Sequence, residues 1–195
     1  MAKGDEKQVI ENYEVLEDVV RDSYSGIVWS HKIQEKQSDI YAEKFKKLET
    51  INIFAASLTS VGIVTMIFTD PLWLKLASAI ISFATVFITA YFKSFDLQKL
   101  ITAHKATANR LIAVRDRYKI LLTEIKLQND SVANLLLKYN ALVDEADAIY
   151  QEAPSTTDEA VERASEALKV KKDNSFSDEE VDSFLPSSLR RGKNE

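Results

Sequence analysis

The sequence predicts an all-α membrane protein: a two-helix transmembrane hairpin, long cytosolic helices forming a coiled-coil-like bundle, and a flexible acidic C-terminal tail. Three observations predict it. Residues 51–69 carry no charged side chain, and neither do residues 76–92. The charged segments on either side repeat their apolar residues with helical and seven-residue periods. The 195 residues include only four glycines and three prolines, so little interrupts a helix.

The hairpin comes first because the flanking segments are arranged around it. At about 1.5 Å of rise per residue, a run of ~19–20 apolar residues crosses the ~30 Å hydrocarbon core of a bilayer. Two such runs, at about 51–69 and 72–92, flank the break Asp70-Pro71. Lipid offers no hydrogen bonds, so each run must satisfy its own backbone as an α-helix. A pair of helices buried in a soluble core is the competing arrangement. It fits poorly with apolar residues gathered into one block between charged flanks.

Residues 1–50 are expected to form cytosolic helices leading into the first span. Met1 to about Glu6 are polar and expected to fray. From Val9 onward the apolar positions run Tyr13, Leu16, Val20, Tyr24 and Ile27. The small and capping residues Asp22-Ser23-Tyr24-Ser25-Gly26 predict a break, with a second helix starting near Ser25. That helix carries Ile33, Ile40, Tyr41, Phe45 and Leu48 and meets nothing that would stop it before the membrane. No apolar signal segment precedes the first run, which is therefore expected to act as its own uncleaved insertion signal.

Residues 93–153 read as one long cytosolic heptad helix. One apolar series runs Leu97, His104, Leu111, Tyr118, Ile125, Val132, Tyr139, Ala146, and a second, three residues on, includes Val114, Leu121, Leu135, Leu142 and Ile149. A repeat sustained this long marks a helix–helix seam. Leu97, His104, Leu111, Tyr118, Leu121 and Ile125 are its candidate residues, in an oligomer or within a bundle. The pattern falters at Gln128-Asn129-Asp130-Ser131, where Asp130 or Ser131 can cap a fresh start. Residues 154–195 are acidic and poor in large apolar side chains, and are expected to be mostly disordered. Within them Thr156/Glu159 and Ser177/Glu180 have capping-box spacing, the first for a short helix to about Lys172. Phe184-Leu185-Pro186 is either a small docking motif or part of an inert tail.

Charge sets the expected topology. Lys44, Lys46 and Lys47 precede the first span, and Lys93, Lys99, Lys105 and Arg110 follow the second, whereas the loop offers Asp70 and Lys75. The positive-inside rule then places both termini in the cytoplasm of a multi-pass inner-membrane protein. A net charge of −5 and no concentrated basic region leave no footprint for direct nucleic-acid binding. With no cysteine there is no disulfide, thiolate metal site or cysteine nucleophile. His31 and His104 lack partners at metal-ligand spacing, and there is no glycine-rich phosphate loop or nucleophile elbow. No catalytic residue, metal or cofactor is assigned, and the chain is not read as an enzyme. His104 and the Trp29/His31 pair are read as packing residues against a facing helix.

Two membrane faces carry more information. Ser78, Ser82, Thr85 and Thr89 form one stripe down the second span. Asn52, Ala55, Thr59 and Gly62, with Ala56 and Ser60, form a small-residue side on the first. Such residues let helices approach closely and bond across the contact. The sharper alternative is that the stripe lines a water path, which requires several copies because two helices enclose nothing.

The whole pattern resembles the bacterial SLATT domain, a two-transmembrane effector associated with SMODS nucleotide synthases and SLOG sensors. The resemblance is carried by Trp29-Ser-His-Lys32, by the run Tyr41 to Leu48, and by His104 to Leu111. It covers about Tyr13 to Tyr150 and leaves the chain after Pro154 outside. It implies a pore-forming or membrane-disrupting effector in antiphage conflict, held inactive until a signal arrives. The implied partners are the lipid bilayer, further copies of the chain, and a nucleotide synthase, sensor or reverse transcriptase. A non-conducting membrane anchor that recruits a cytosolic partner through its helices and tail is the alternative.

Overall fold

The computed structural model describes residues 3–68, 71–173 and 175–191, and side chains within them except at 3–11, 66–68, 93 and 94. Met1 and Ala2, the loop residue Asp70, and the Val9 and Lys93 side chains thus lie outside the described residues. All regular elements among the described residues are helical.

Helix α1 (Lys3–Phe68) is one uninterrupted rod of 66 residues, about 99 Å long at the usual rise. The break expected near Gly26 does not occur. Leu16, Val20 and Ile27, which share one face, are almost fully buried, and each such burial stabilises by about 1.5–3 kcal/mol. A helical glycine costs only about 1 kcal/mol, so packing outweighs local propensity. Ser25 joins the helix by donating its hydroxyl to the Arg21 carbonyl at 2.9 Å.

Helix α2 (Leu72–Phe95) follows Pro71, whose carbonyl accepts the Leu74 N–H at 3.1 Å. It returns antiparallel along the apolar end of α1, with the Phe45 and Phe92 rings 5.1 Å apart. A single left-handed residue, Asp96 (φ 38°), then ends α2 and starts α3 (Leu97–Leu127). Its N–H donates to the Phe92 carbonyl, and its carboxylate accepts the Lys99 N–H at 3.2 Å. One aspartate thus caps both helix ends.

Helix α3 runs back along the charged part of α1 to a turn at Gln128 (φ 51°), where Ser131 caps α4 (Val132–Glu152) by accepting from the Asn134 N–H. Helix α4 lies parallel to α1, as Ser23–Tyr139 and Ser30–Tyr150 hydroxyl contacts show. Against α3 it is antiparallel, with Arg110–Glu152, Arg117–Glu145 and Glu124–Lys138 ion pairs spaced seven residues apart on both helices. Exposed pairs add only about 0.2–1 kcal/mol each, but their signs select the register. A slip of one heptad would set Arg117 against Lys138.

Beyond Pro154 the structure departs from the expected mostly disordered tail. Thr157, rather than Thr156, caps α5 (Asp158–Ser165), which a π-helical turn extends through Glu166–Val170. Ala160, Ala164 and Ala167 are buried there, because small side chains let this segment lie close on α1. Ser177 and Glu180 form a reciprocal capping box at α6 (Asp178–Phe184), which buries none of its residues.

Leu111, Val114, Tyr118, Leu121, Ile125, Leu135, Leu142 and Ile149 form one core with Leu16, Val20 and Ile27 of α1. The expected seam residues from Leu111 onward are therefore covered within a single chain. Burial pushes the Tyr118 phenol up to about 12. We expect Leu111→Ala to destabilise these packed helices by about 2–5 kcal/mol, read as lost hydrogen-exchange protection across α1 and α3. The exposed Ile120→Ala should stay within about 0.5 kcal/mol.

Candidate functional site

The packed helices have two zones. Far from the hairpin the core is apolar. Toward the hairpin the buried positions become His31, Lys32, Gln34, Gln37, Ser38, His104 and Thr107. Burying polar groups is unfavourable unless they are paired, so their partners decide what this layer can do.

Pro154 settles the first. Its carbonyl can only accept, and it takes the Gln34 Nε2 donor at 3.2 Å. That leaves Gln34 Oε1 facing His104 Nδ1 at 2.6 Å, so His104 must carry its proton on Nδ1. His104 Nε2 is then a buried acceptor with no partner among the described residues. Gln37 Oε1 accepts both the N–H and the hydroxyl of Thr157, at 2.7 and 2.8 Å. Two glutamines of α1 therefore clasp the α4–α5 connection. Ser38 donates to the Ile101 carbonyl of α3 at 3.2 Å.

Lys32 is almost fully buried, with its ammonium 2.9 Å from Glu35 and 3.7 Å from Asp173. His31 beside it presents Nε2 to Glu35 at 3.7 Å, while its Nδ1 has no partner among the described residues. Trp29 turns to the C-terminal segment, with the Lys169 ammonium 5.5 Å from its ring centre. Of the seam residues nearest the hairpin, His104 is fully enclosed and Leu97 nearly so.

The hairpin divides the Ser/Thr stripe. Ser78 and Thr85 are half-buried toward α1, whereas Ser82 and Thr89 are exposed on the outer side. Residues seven apart lie nearly in line on a helix, and those four apart lie about 40° round, so the stripe straddles the edge of the contact. A Cβ on Gly62 would sit 2.6 Å from Ser78 Oγ, so the two spans approach closely there. Asn52, Ala55 and Thr59 of the small-residue side are half-buried, and Ala56 and Ser60 are exposed. Thr59, Thr85 and Thr89 donate to the carbonyl four residues back at 2.9–3.0 Å. Their donors are met inside the helix without water.

Of this layer, His104 is read from the sequence as a seam residue packed against a facing helix, whereas Gln34, Gln37 and Ser38 are not assigned. Its signal is that Ile27, His31, Gln34, Ser38, Tyr41 and Phe45 keep the three–four spacing of the apolar face after its residues turn polar.

Two expectations follow. Burial holds His104 below its ordinary 6.5, and burial does the same for His31 against an opposing pull from Glu35. Below about pH 6.5 the unfolded chain therefore binds protons that the folded chain refuses, and stability present above that pH is lost on acidification. The thermal midpoint should fall between about pH 6.5 and 5, and a His31→Gln/His104→Gln double variant should flatten that fall. In the hairpin, Gly62→Ala meets only a hydroxyl that can rotate and should be tolerated. Gly62→Leu should push the spans apart, seen as a longer distance between spin labels at Phe54 and Phe87.

The comparisons agree with this architecture. The two long apolar helices are long enough to cross a membrane, and their most apolar windows are 6% and 0% buried. No curated protein and no solved structure matches the chain. The family model for the SMODS and SLOG-associating 2TM effector domain family 4 matches residues 16–180, including the segment after Pro154 that the sequence resemblance left out. Over that length, from the apolar face of α1 to the capping box of α6, the chain belongs to this SLATT effector family.

Proposed function

We propose that this protein is a two-span effector that oligomerises in the cytoplasmic membrane and opens or disrupts it, within a nucleotide-signalled antiphage system. One observation carries the reading. The packed helices close their apolar core within one chain, whereas nothing among the described residues covers the outer faces of the hairpin. Phe54, Leu58, Ile80, Phe83 and Phe87 are among the exposed apolar residues there. Lipid and neighbouring copies are the surfaces that match them. Both termini lie in the cytoplasm on this reading, supported by Lys44, Lys46 and Lys47 before the first span and Lys99 after the second.

Oligomer contacts then fall to the hairpin, since the seam from Leu111 to Ile125 is already occupied. Ser82 and Thr89, rather than Ser78, are the stripe positions open to a water path between copies. The anchor reading is favoured by a different surface. Ile120, Leu127 and Leu137 are exposed at the end of the packed helices far from the hairpin, where a soluble partner could be held without any conduction.

Purified full chain in planar bilayers separates the two. Conductance should appear and rise steeply with protein-to-lipid ratio, as assembly by mass action requires. Ser82→Lys should shift selectivity toward anions while cross-linked oligomers persist. Ser78→Lys should abolish insertion, since it forces a charge into the contact at a cost of about 2.5–3.5 kcal/mol or more. Inserted chain that never conducts at any ratio establishes the anchor.

A further inference from the structure

A groove of about 570 Å³ opens between α1 and α3 beside the polar layer. Its walls are mixed. Ile101 and Ile112 supply apolar surface, and Lys32, Lys105 and Arg115 supply positive charge beside Glu35 and Asp39. The two carboxylates are already engaged. Glu35 is held by Lys32 at 2.9 Å, and Asp39 by Lys36 at 3.4 Å. Their charge is spent along the α1 wall.

The α3 wall differs. Lys105 makes no ion pair among the described residues. Arg115 donates its Nε and Nη2 to its neighbour Asp116 at 3.0 and 2.8 Å, leaving Nη1 uncommitted in those contacts. Lys105 and Arg115 are ten positions apart, just under three helical turns, so an extended ligand is needed to meet both. The side chain of His31, 5% exposed, forms part of the same wall, and its Nδ1 lacks a partner.

We propose that this groove binds a phosphate-bearing small molecule of nucleotide or sugar-phosphate size, with one of Lys105 and Arg115 holding its phosphate, the other donating to an oxygen or nitrogen at the far end of the ligand, and His31 accepting from a ligand hydroxyl or amino group. The volume lies within the 300–1,000 Å³ or so of small-molecule sites and exceeds what an inorganic ion needs. A doubly charged phosphate gains more from a lysine or an arginine than a carboxylate does, a gain that outweighs the repulsion from Glu35 and Asp39 because both are already paired with lysines. A ligand seated here ties α1 to α3. Its control of the membrane helices rests on the effector reading, whereas its binding does not.

Titration calorimetry on the full chain in detergent micelles tests binding alone, with AMP, ribose 5-phosphate, adenosine and inorganic phosphate as probes. Binding of AMP or ribose 5-phosphate is expected, the preferred one identifying the nucleotide or the sugar phosphate as the source. Adenosine and inorganic phosphate should bind at least about tenfold more weakly. Lys105→Gln and Arg115→Gln should each weaken the preferred probe by about tenfold or more. Ala42→Trp fills the groove from an exposed lining position, removes no charge, and should abolish binding with the thermal midpoint unchanged. Lys46→Gln, outside the groove, should change nothing. If neither phosphorylated probe binds at millimolar concentration, or if binding survives Lys105→Gln, Arg115→Gln and Ala42→Trp alike, the site is refuted. Neither result touches the bilayer conductance that tests the effector reading.

Discussion

Helices α2, α3, α4 and α5 are all laid against one unbroken helix. Helix α1 supplies a face to α2 at its apolar end and to α3, α4 and α5 along its charged length. The antiparallel α1–α3 contact is the most extensive of these. It lies between Phe45, which meets Phe92 near the end of α2, and Tyr13, which donates its hydroxyl to the Asp130 carbonyl in the turn after α3 at 2.8 Å. That span of α1 is about 48 Å at helical rise. A rod shared between two environments must satisfy both. Its apolar end meets backbone needs internally, and its charged end meets them while burying one side against three other helices.

The change from apolar to polar core along that rod has an energetic meaning. The far zone, from Leu16 to Ile27, gains stability from area removed from water, and its shape is tolerant of small shifts. The near zone gains little from burial and depends on pairing. Gln34 is fixed by an acceptor-only carbonyl on one side and a histidine on the other, and Gln37 by two donors of Thr157. Displacing α3 or the α4–α5 connection would strand buried polar atoms, each costing about 1–3 kcal/mol. The near zone thus permits few arrangements, and this discreteness is what a two-state element requires.

Much of this was legible in the sequence, and the reasons are physical. Apolar runs that must satisfy lipid are long and free of charge, so the hairpin stands out. The heptads show because buried positions recur on one face, and Leu111, Tyr118 and Ile125 lie in the core. Four features were not legible. Helix α1 continues through Ser23–Gly26 because distant residues of α3 and α4 bury its neighbours, which a local window cannot weigh. The Asp96 break sits among residues that all favour helix, and only its capping of Lys99 reveals it. The segment after Pro154 lacks large apolar residues, yet alanines spaced at 160, 164 and 167 bury well because they are small. Gln34, Gln37 and Ser38 of the polar layer escaped notice because burial is usually inferred from hydrophobicity, and here the periodicity carried it instead.

The last step joins the two halves mechanically. Helix α1 enters the apolar hairpin with no break, so a displacement of its charged end is carried to the membrane end as a rigid body. Helix α3 meets α2 through one left-handed residue, Asp96, which can alter its dihedrals without disturbing either helix interior. One span is therefore welded to the packed helices and the other is hinged to them. Gly62 and Ser78 mark a close approach of the two spans. Small residues at that contact keep the spans close, and they also let one slide on the other without side chains interlocking.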